Sequence, residues 1–591
     1  MTEQTPHSPT PAPVTAPVTG IVGLGPVGEA LLHLLLGAGH HVVAVDTDFD
    51  VLARVARRVK AVHGDGPEQQ AVTFTCDHAL LRGSSVVVEA VADTAAAKAL
   101  ALSRITAACP PGTTLVTTTA TLSVVRLAIG AGRPADLVGL RLFTPPAPGG
   151  PAEPVLTPLA AKETAAALNA LVAAAGLTPV EVGSGPAADA TALVLGLLNR
   201  SVVLLDEGYA THHDIDTAMR LGCGLPAGPL ETLDRIGLDT AHAALMDLWR
   251  RTGDSAFEPA PLLSRMVAAG LLGRKSGGGF YAYGETGAQL PAQAGPGPEA
   301  DAAGVHRVGV LGSGAMARGI AEVAAAAGHP TVLVARSAEK ADAALAAVAN
   351  SLARAVRRGK TTARARSQAL ARLHATDDLA ALAECDLVME AVAEEPEVKR
   401  TLFRTLGRVC APGAVLATTT SSLSVTACAE ASGRPLDVVG IHFFNPAPVM
   451  RLVELVRTDT AAPRTLALAR AFCLGLGKTA VECTDRTGFI VNSLLFPYLG
   501  AALALLDRPG ADDTLIERTD AAVQHGFNYP MGPFALLDTI GLDVSLAIQR
   551  RLYDRFKTPE HKPSNALAEL LAAGFLGRKN GRGLRTAATS R

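Results

Sequence analysis

Two doubly wound parallel α/β sheets, each followed by an all-α domain, form the architecture predicted by this 591-residue sequence. Three observations lead there. The chain repeats itself. Each repeat opens with short apolar segments alternating with longer helical patterns, the mark of a parallel sheet covered by helices. Each repeat then turns to mostly helical periodicity, near Asp189 and near Gly488. The length agrees, since about 150 residues per domain gives about four domains.

The elements follow in order. Residues 1–17 are rich in Pro and Thr, without the basic start or apolar core of a signal peptide, and read as a disordered tail. Residues 18–183 form the first α/β domain. There IVGLGPVG sets Gly23, Gly25 and Gly28 between a strand and a helix. The first glycine permits a tight turn, the second lets a pyrophosphate approach the backbone, and the third lets helix pack on strand. The helix N-terminus then favours phosphate charge. With Asp46 ending the next strand, this is a Rossmann-type dinucleotide site, NAD-like or empty. Residues 184–284 are helical. Residues 285–304 lack periodicity, are rich in Gly, Pro and Ala, and read as a linker.

The second α/β domain spans 305–484 and the second helical domain 485–591. Its turn reads GSGAMA: Gly312, Gly314, Ala315, Met316 and Ala317, with alanine at the third glycine position. The counterpart of Asp46 is Ala335, followed by Arg336 and Ser337. An acidic residue there accepts from the ribose 2′-hydroxyl and repels a 2′-phosphate. Arg336 can instead pair with that phosphate and Ser337 can donate to it. The second copy is therefore expected to favour NADP(H), with NAD(H) the alternative.

The repeat register is explicit. VEAVAD parallels MEAVAE, with Glu390 standing 301 positions after Glu89. TTTATLSV parallels TTTSSLSV in the same register, while Gly312 follows Gly23 by only 289. The first copy thus lacks 12 residues between its turn and its acidic motif. Later, AGPLETLDRIGLD parallels MGPFALLDTIGLD, and GLLGRKSGGG parallels GFLGRKNGRG.

Composition excludes other classes. A net charge of −2 gives no reason to expect nucleic acid or a membrane surface. No apolar run reads as reaching the roughly 18 uncharged residues of a span. The eight cysteines are scattered, without metal spacing, and fit free thiols in a reducing cytoplasm. No metal site is expected.

The chemistry lies in GIHFFNPAPVMRLVEL, which carries His442 and Glu454. An imidazole can take a hydroxyl proton while hydride leaves the same carbon, and a carboxylate on its other nitrogen fixes the tautomer. From His306 to about Gly583 the motifs GSGAMARGIA, VMEAVAEEPEVKRTLF, TTTSSLS, GIHFFNPAPVMRLVEL, TGFIVN, YPMGPFALLDTIGLD and GFLGRKNGRG make this half resemble the 3-hydroxyacyl-CoA dehydrogenases, including the short-chain 3-hydroxybutyryl-CoA enzymes. The first half resembles the same family more faintly. The resemblance implies His442 as catalytic base, Glu454 as its partner, Ser421 on the reacting oxygen and Asn492 on the substrate carbonyl. It implies Glu394, Lys399, Asn445 and Lys579 as cofactor contacts. It implies a helical arm, NSLARAVRRGK, that grips coenzyme A through Ser351 and Arg358.

In the first copy His442 becomes Arg141, Ser421 becomes Ala120, Asn492 becomes Thr191 and Asn445 becomes Thr144. Glu153 remains, with no histidine to orient. Arginine cannot serve as a base at neutral pH. The missing residues fall where the coenzyme A arm belongs. The first copy is expected to be catalytically silent and to form an internal pseudo-dimer with the second through the helical domains. Any higher assembly is left open. Two alternatives stand beside an acyl-CoA dehydrogenase: a hydroxy-acid dehydrogenase without a coenzyme A handle, and a non-catalytic nucleotide-binding scaffold.

Overall fold

The computed structural model describes residues 17–119, 122–285, 287–290, 304–508 and 514–585. Nearly all of the expected tail, most of the expected linker and the last residues of the second helical domain lie outside them.

The first sheet contains β1 (Val18–Val22), β2 (His41–Val45), β3 (Val72–Thr75), β4 (Val86–Glu89), β5 (Thr114–Thr117), β6 (Leu137–Arg141), β7 (Pro151–Val155) and β8 (Thr178–Pro179), in the order β3-β2-β1-β4-β5-β6-β7-β8. The second contains β9 (Val308–Leu311), β10 (Thr331–Val334), β11 (Leu373–Thr376), β12 (Leu387–Glu390), β13 (Val415–Thr418), β14 (Val438–Phe443), β15 (Leu452–Arg457) and β16 (Thr479–Thr484), in the matching order. The central strands are buried on both faces, as a helix-covered parallel sheet requires. In each sheet the order reverses beside the first strand, which opens a crevice at the carboxyl ends where dinucleotides bind in such folds. Each sheet also has an antiparallel pair, and its register has a chemical consequence. It sets Arg141 opposite Glu153 and His442 opposite Glu454.

The 12-residue difference falls after the second strand. The second copy raises helices Ala338–Arg357 and Ala363–Arg372; the first has only Phe49–His63 and Pro67–Gln70. The arm is shortened, as its sequence implied.

The helical domains pack on each other. Helix Ser184–Asp206 lies against helices Phe489–Ala504 and Leu515–Phe527, and helix His212–Cys223 lies against Phe489–Ala504. One apolar core runs through both, from Val194, Leu198 and Met219 in the first half to Leu494, Leu499 and Val523 in the second. Ion pairs border it: Arg200 with Glu560 at 2.5 Å, Arg508 with Asp189 at 2.6 Å, and Arg486 with Glu207. By length and overall hydropathy one helix could cross a bilayer, although Asp189, Arg200 and Asp206 interrupt it and leave no run of roughly 18 uncharged residues there. Ala187–Asp206 passes by length and composition, but 56% of its apolar window is buried inside the protein. Its hydrophobicity covers the other half of the chain.

Candidate active site

The glycine turns differ in a physically readable way. In the first copy Gly23 has φ +93°, and a Cβ on Gly28 would sit 1.9 Å from the Gly23 carbonyl oxygen, so the helix touches the turn. In the second, Ala317 is fully buried at that position and Gly312 has φ +133°. Gly314, at the start of helix Ala315–Ala326, has open space where a Cβ would be, and no side chain caps that helix. An uncapped helix start beside open space fits a pyrophosphate. In the first copy the helix begins at Pro26, which has no N–H to offer.

Asp46 braces its own turn, accepting from Leu24 N at 2.8 Å and Asp48 N at 3.0 Å. At the matching place Ala335 is buried and Arg336 is exposed. Ser337 caps helix Ala338–Arg357 by accepting from Lys340 N at 3.4 Å.

Beyond β12 a carboxylate cluster organises the crevice. Lys399, fully buried, donates to both oxygens of Glu390 at 2.8 Å and lies 3.4 Å from Glu394. Glu394 accepts from Thr420 Oγ1 at 2.6 Å, from Ser421 N at 2.8 Å and from Ser421 Oγ at 3.3 Å. Burial pushes its carboxyl up, but Lys399 and these donors outweigh burial and hold it below the ordinary value. Lys399 is thus reached first by carboxylates, and Glu394 stands between it and Ser421.

His442 Nδ1 lies 2.6 Å from Glu454 Oε2, with both side chains buried. The other oxygen of Glu454 accepts from Ile490 N at 3.0 Å and Val491 N at 2.9 Å, in the first turn of helix Phe489–Ala504. One carboxylate therefore ties the strand pair, the imidazole and a helix N-terminus together. Asn492, nearly buried, occupies the next position of that helix.

Sequence reasoning missed three groups here. Phe489 is fully buried with φ +48°, a strained conformation for a bulky residue, and its ring lies 5.4 Å from the His442 ring. The Phe444 ring lies 4.7 Å from the His442 ring, tilted by 58°. Arg551, from the helical domain, donates to Ser422 Oγ at 2.8 Å and to the Glu394 carbonyl at 3.0 Å. It bridges the two domains beside Ser421. Comparison of the repeats held a signal for it, because the matching residue 304 positions earlier is Asp247.

Other expected contacts fall outside this cluster. Lys579 pairs with Asp543 at 2.7 Å. Asn445 and Arg358 are exposed. Ser351 hydrogen-bonds Glu322, whose carboxyl is raised by burial despite that bond and Arg354. Exposed Arg354, Arg357, Arg358 and Lys360 leave the arm strongly basic. Among the described residues no three His, Cys, Asp or Glu side chains could hold a metal.

The first copy keeps the frame with different contents. Lys98 still holds Glu89 at 3.0 Å, and burial pushes that carboxyl up. Glu153 accepts from Val182 N and Gly183 N, which lead into helix Ser184–Asp206. Glu153 has no histidine beside it, as its sequence implied, and forms a buried ion pair with Arg141 instead. Thr191, in place of Asn492, bonds back to Ala187 O at 2.8 Å. Ala120 lies outside the described residues.

Comparison with known proteins gives a consistent result. Two family models match twice: the NAD-binding domain of 3-hydroxyacyl-CoA dehydrogenase at residues 18–185 and 307–486, and the C-terminal domain of the same family at 190–283 and 488–587. The 3-hydroxybutyryl-CoA dehydrogenase of Mycobacterium tuberculosis is 44% identical over 291 residues, which are 48% of this chain and 98% of that protein. The human mitochondrial hydroxyacyl-coenzyme A dehydrogenase is 39% identical over 288 residues, 47% of this chain and 90% of its own. A solved 3-hydroxybutyryl-CoA dehydrogenase from Escherichia coli K12 covers 95% of this chain and 100% of its own at 20% identity and TM-score 0.53, a likeness of fold across both halves.

Proposed function

The chain belongs to the 3-hydroxyacyl-CoA dehydrogenase family, and we propose that its C-terminal half interconverts a short 3-hydroxyacyl-CoA and the 3-oxoacyl-CoA, with His442 as the group that takes and returns the proton. The observation that carries this reading is the buried His442–Glu454 contact at 2.6 Å, anchored on a helix start. The nicotinamide nucleotide supplies the hydride chemistry. The protein's own groups do the rest. Glu454 orients the imidazole so that its free Nε2 can face the hydroxyl, and stabilises the imidazolium that forms. Ser421 donates to the reacting oxygen, and Asn492 to the thioester carbonyl as charge develops there. Glu394, held ionised by Lys399 and Thr420, faces the nucleotide side of Ser421, with Gly312, Gly314, Ala315, Met316, Ala317, Asn445 and Lys579 as further nucleotide contacts. The basic arm with Ser351 and Arg358 receives the phosphates of coenzyme A.

NADP(H) is the favoured cofactor of this half. Buried Ala335 removes the acid that would repel a 2′-phosphate, and exposed Arg336 stands next to it at the start of a helix. The first half serves as a built-in partner subunit. Its buried Arg141–Glu153 pair supports a silent site. Eight free thiols fit a reducing, cytoplasmic setting. The direct test mixes the purified protein with acetoacetyl-CoA and NADPH, then NADH, and follows nicotinamide absorbance. Faster oxidation of NADPH is expected. An equal rate on the free 3-oxo acid would remove the coenzyme A handle, and no hydride transfer with any 3-oxoacyl-CoA would leave a scaffold.

A further inference from the structure

Helix His212–Cys223 of the first half ends against the catalytic frame of the second. A Cβ on Gly222 would lie 2.9 Å from Leu452 Cδ2 and 3.0 Å from Val491 Cγ2. Leu452 begins the strand that carries Glu454. Val491 gives Glu454 one of its two backbone hydrogen bonds. Two more contacts from the first half reach the same frame. Arg200 donates through Nε to the Ser493 carbonyl at 2.9 Å while its guanidinium is held by Glu560. Thr484 N, at the end of the strand beside β15, donates to the Tyr209 carbonyl at 3.3 Å.

We propose that Gly222, with Arg200, is a positioning residue for the reaction in the other half: the silent copy sets the placement of Glu454 and, through it, of His442. This rests on the dehydrogenase reading above. The physical reason is close packing. A Cβ on Gly222 would meet side-chain carbons of Leu452 and of Val491, the second stiff and β-branched, so a branched side chain there presses on the strand and the helix start that hold the carboxylate. A displacement of about 1 Å at such a frame can cost on the order of 100-fold in rate.

The pseudo-symmetry of the molecule provides the control. Gly526, which stands 304 positions after Gly222, meets Phe143 of the first half, where a Cβ would lie 2.7 Å from the ring. Phe143 follows the strand of Arg141, so an equal insult there presses on the silent frame.

The experiment compares full-length Gly222→Val and Gly526→Val, measuring kcat, nucleotide Kd and thermal midpoint. Gly222→Val is expected to lower kcat by about 10- to 100-fold with nucleotide Kd unchanged. Gly526→Val is expected to lower the thermal midpoint but keep kcat near that of the natural chain. Equal loss of kcat in both variants, or normal kcat in Gly222→Val, overturns the proposal. If Gly222→Val does not fold, Gly222→Ala replaces it, and the same comparison with Gly526→Ala decides. An inactive natural chain would instead sink the dehydrogenase reading itself.

Discussion

His442 is buried among Phe444, Phe489 and Glu454, so its exchange should be read in rate rather than in binding. His442→Asn is expected to lower kcat by about 100- to 10,000-fold while nucleotide affinity, measured by fluorescence titration, is unchanged. Near-normal turnover would end the assignment. Glu454→Gln differs, because the same carboxylate serves the imidazole and two backbone N–H groups. It should lower kcat and also cost about 1–3 kcal/mol in denaturant unfolding. The first copy is not expected to gain activity from one residue. With Thr144 and Thr191 also exchanged, Arg141→His placed in the His442→Asn background should restore no turnover, and any recovered rate would show that the first frame still works.

At the scale of elements, a long side chain spans the catalytic crevice. Arg551 leaves the helix Leu542–Phe556 to bond Ser422 and the Glu394 backbone in the α/β domain. Arg551→Ala should loosen this bridge and change kcat and KM for acyl-CoA together, as expected where closure assembles a site. Unchanged steady-state constants would assign the contact to static packing. A second element is the turn at His561, buried beside Arg200, Glu560 and Arg486 at the border of the two halves. Burial, then Arg200 and Arg486, push His561 down from 6.5 to about 4 against the pull of Glu560. The unfolded chain therefore binds the extra proton at higher pH. Stability from this group is complete above pH 6.5 and is lost as pH falls towards 4, by roughly 2–3 kcal/mol. His561→Gln should flatten that limb of the unfolding free energy against pH. Asp216 and Asp520, both pushed up to about 6 by burial, act in the opposite sense, but they are common to both proteins and cancel in the difference.

The whole molecule is a duplicated scaffold in which the first copy keeps the frame but carries Arg141, Thr144 and Thr191 where the second has His442, Asn445 and Asn492. The apolar core between the helical domains is continuous, so neither half can shed the other without exposing it. A fragment His306–Arg591 is expected to self-associate or aggregate and to lose most of its turnover. A monomeric fragment with full activity would remove the supporting role of the first half. Both sheets were legible because apolar strands and glycine turns recur in both copies, offset by 289 at the turn and 301 at the acidic motif. The pairing of His442 with Glu454 was legible from type and order, since both lie on adjacent strands. Arg551 was legible only as a difference between the copies, with Asp247 at the matching position; its reach to Ser422 was not, because one arginine in an amphipathic helix looks like a solvated face. Phe489 was not legible as strained, because backbone angles at a helix start depend on what the helix packs against.

Local chemistry, carried in short motifs, was enough to determine the duplicated α/β and helical order, the nucleotide turns and the histidine and carboxylate proposed to move a proton. Only the tertiary structure decided that Arg141 neutralises Glu153, that Arg551 crosses the crevice, and that Gly222 of one half touches the frame of the other. These contacts join residues that are distant along the chain or lie in separate domains, and packing between such surfaces leaves no periodic trace in the sequence.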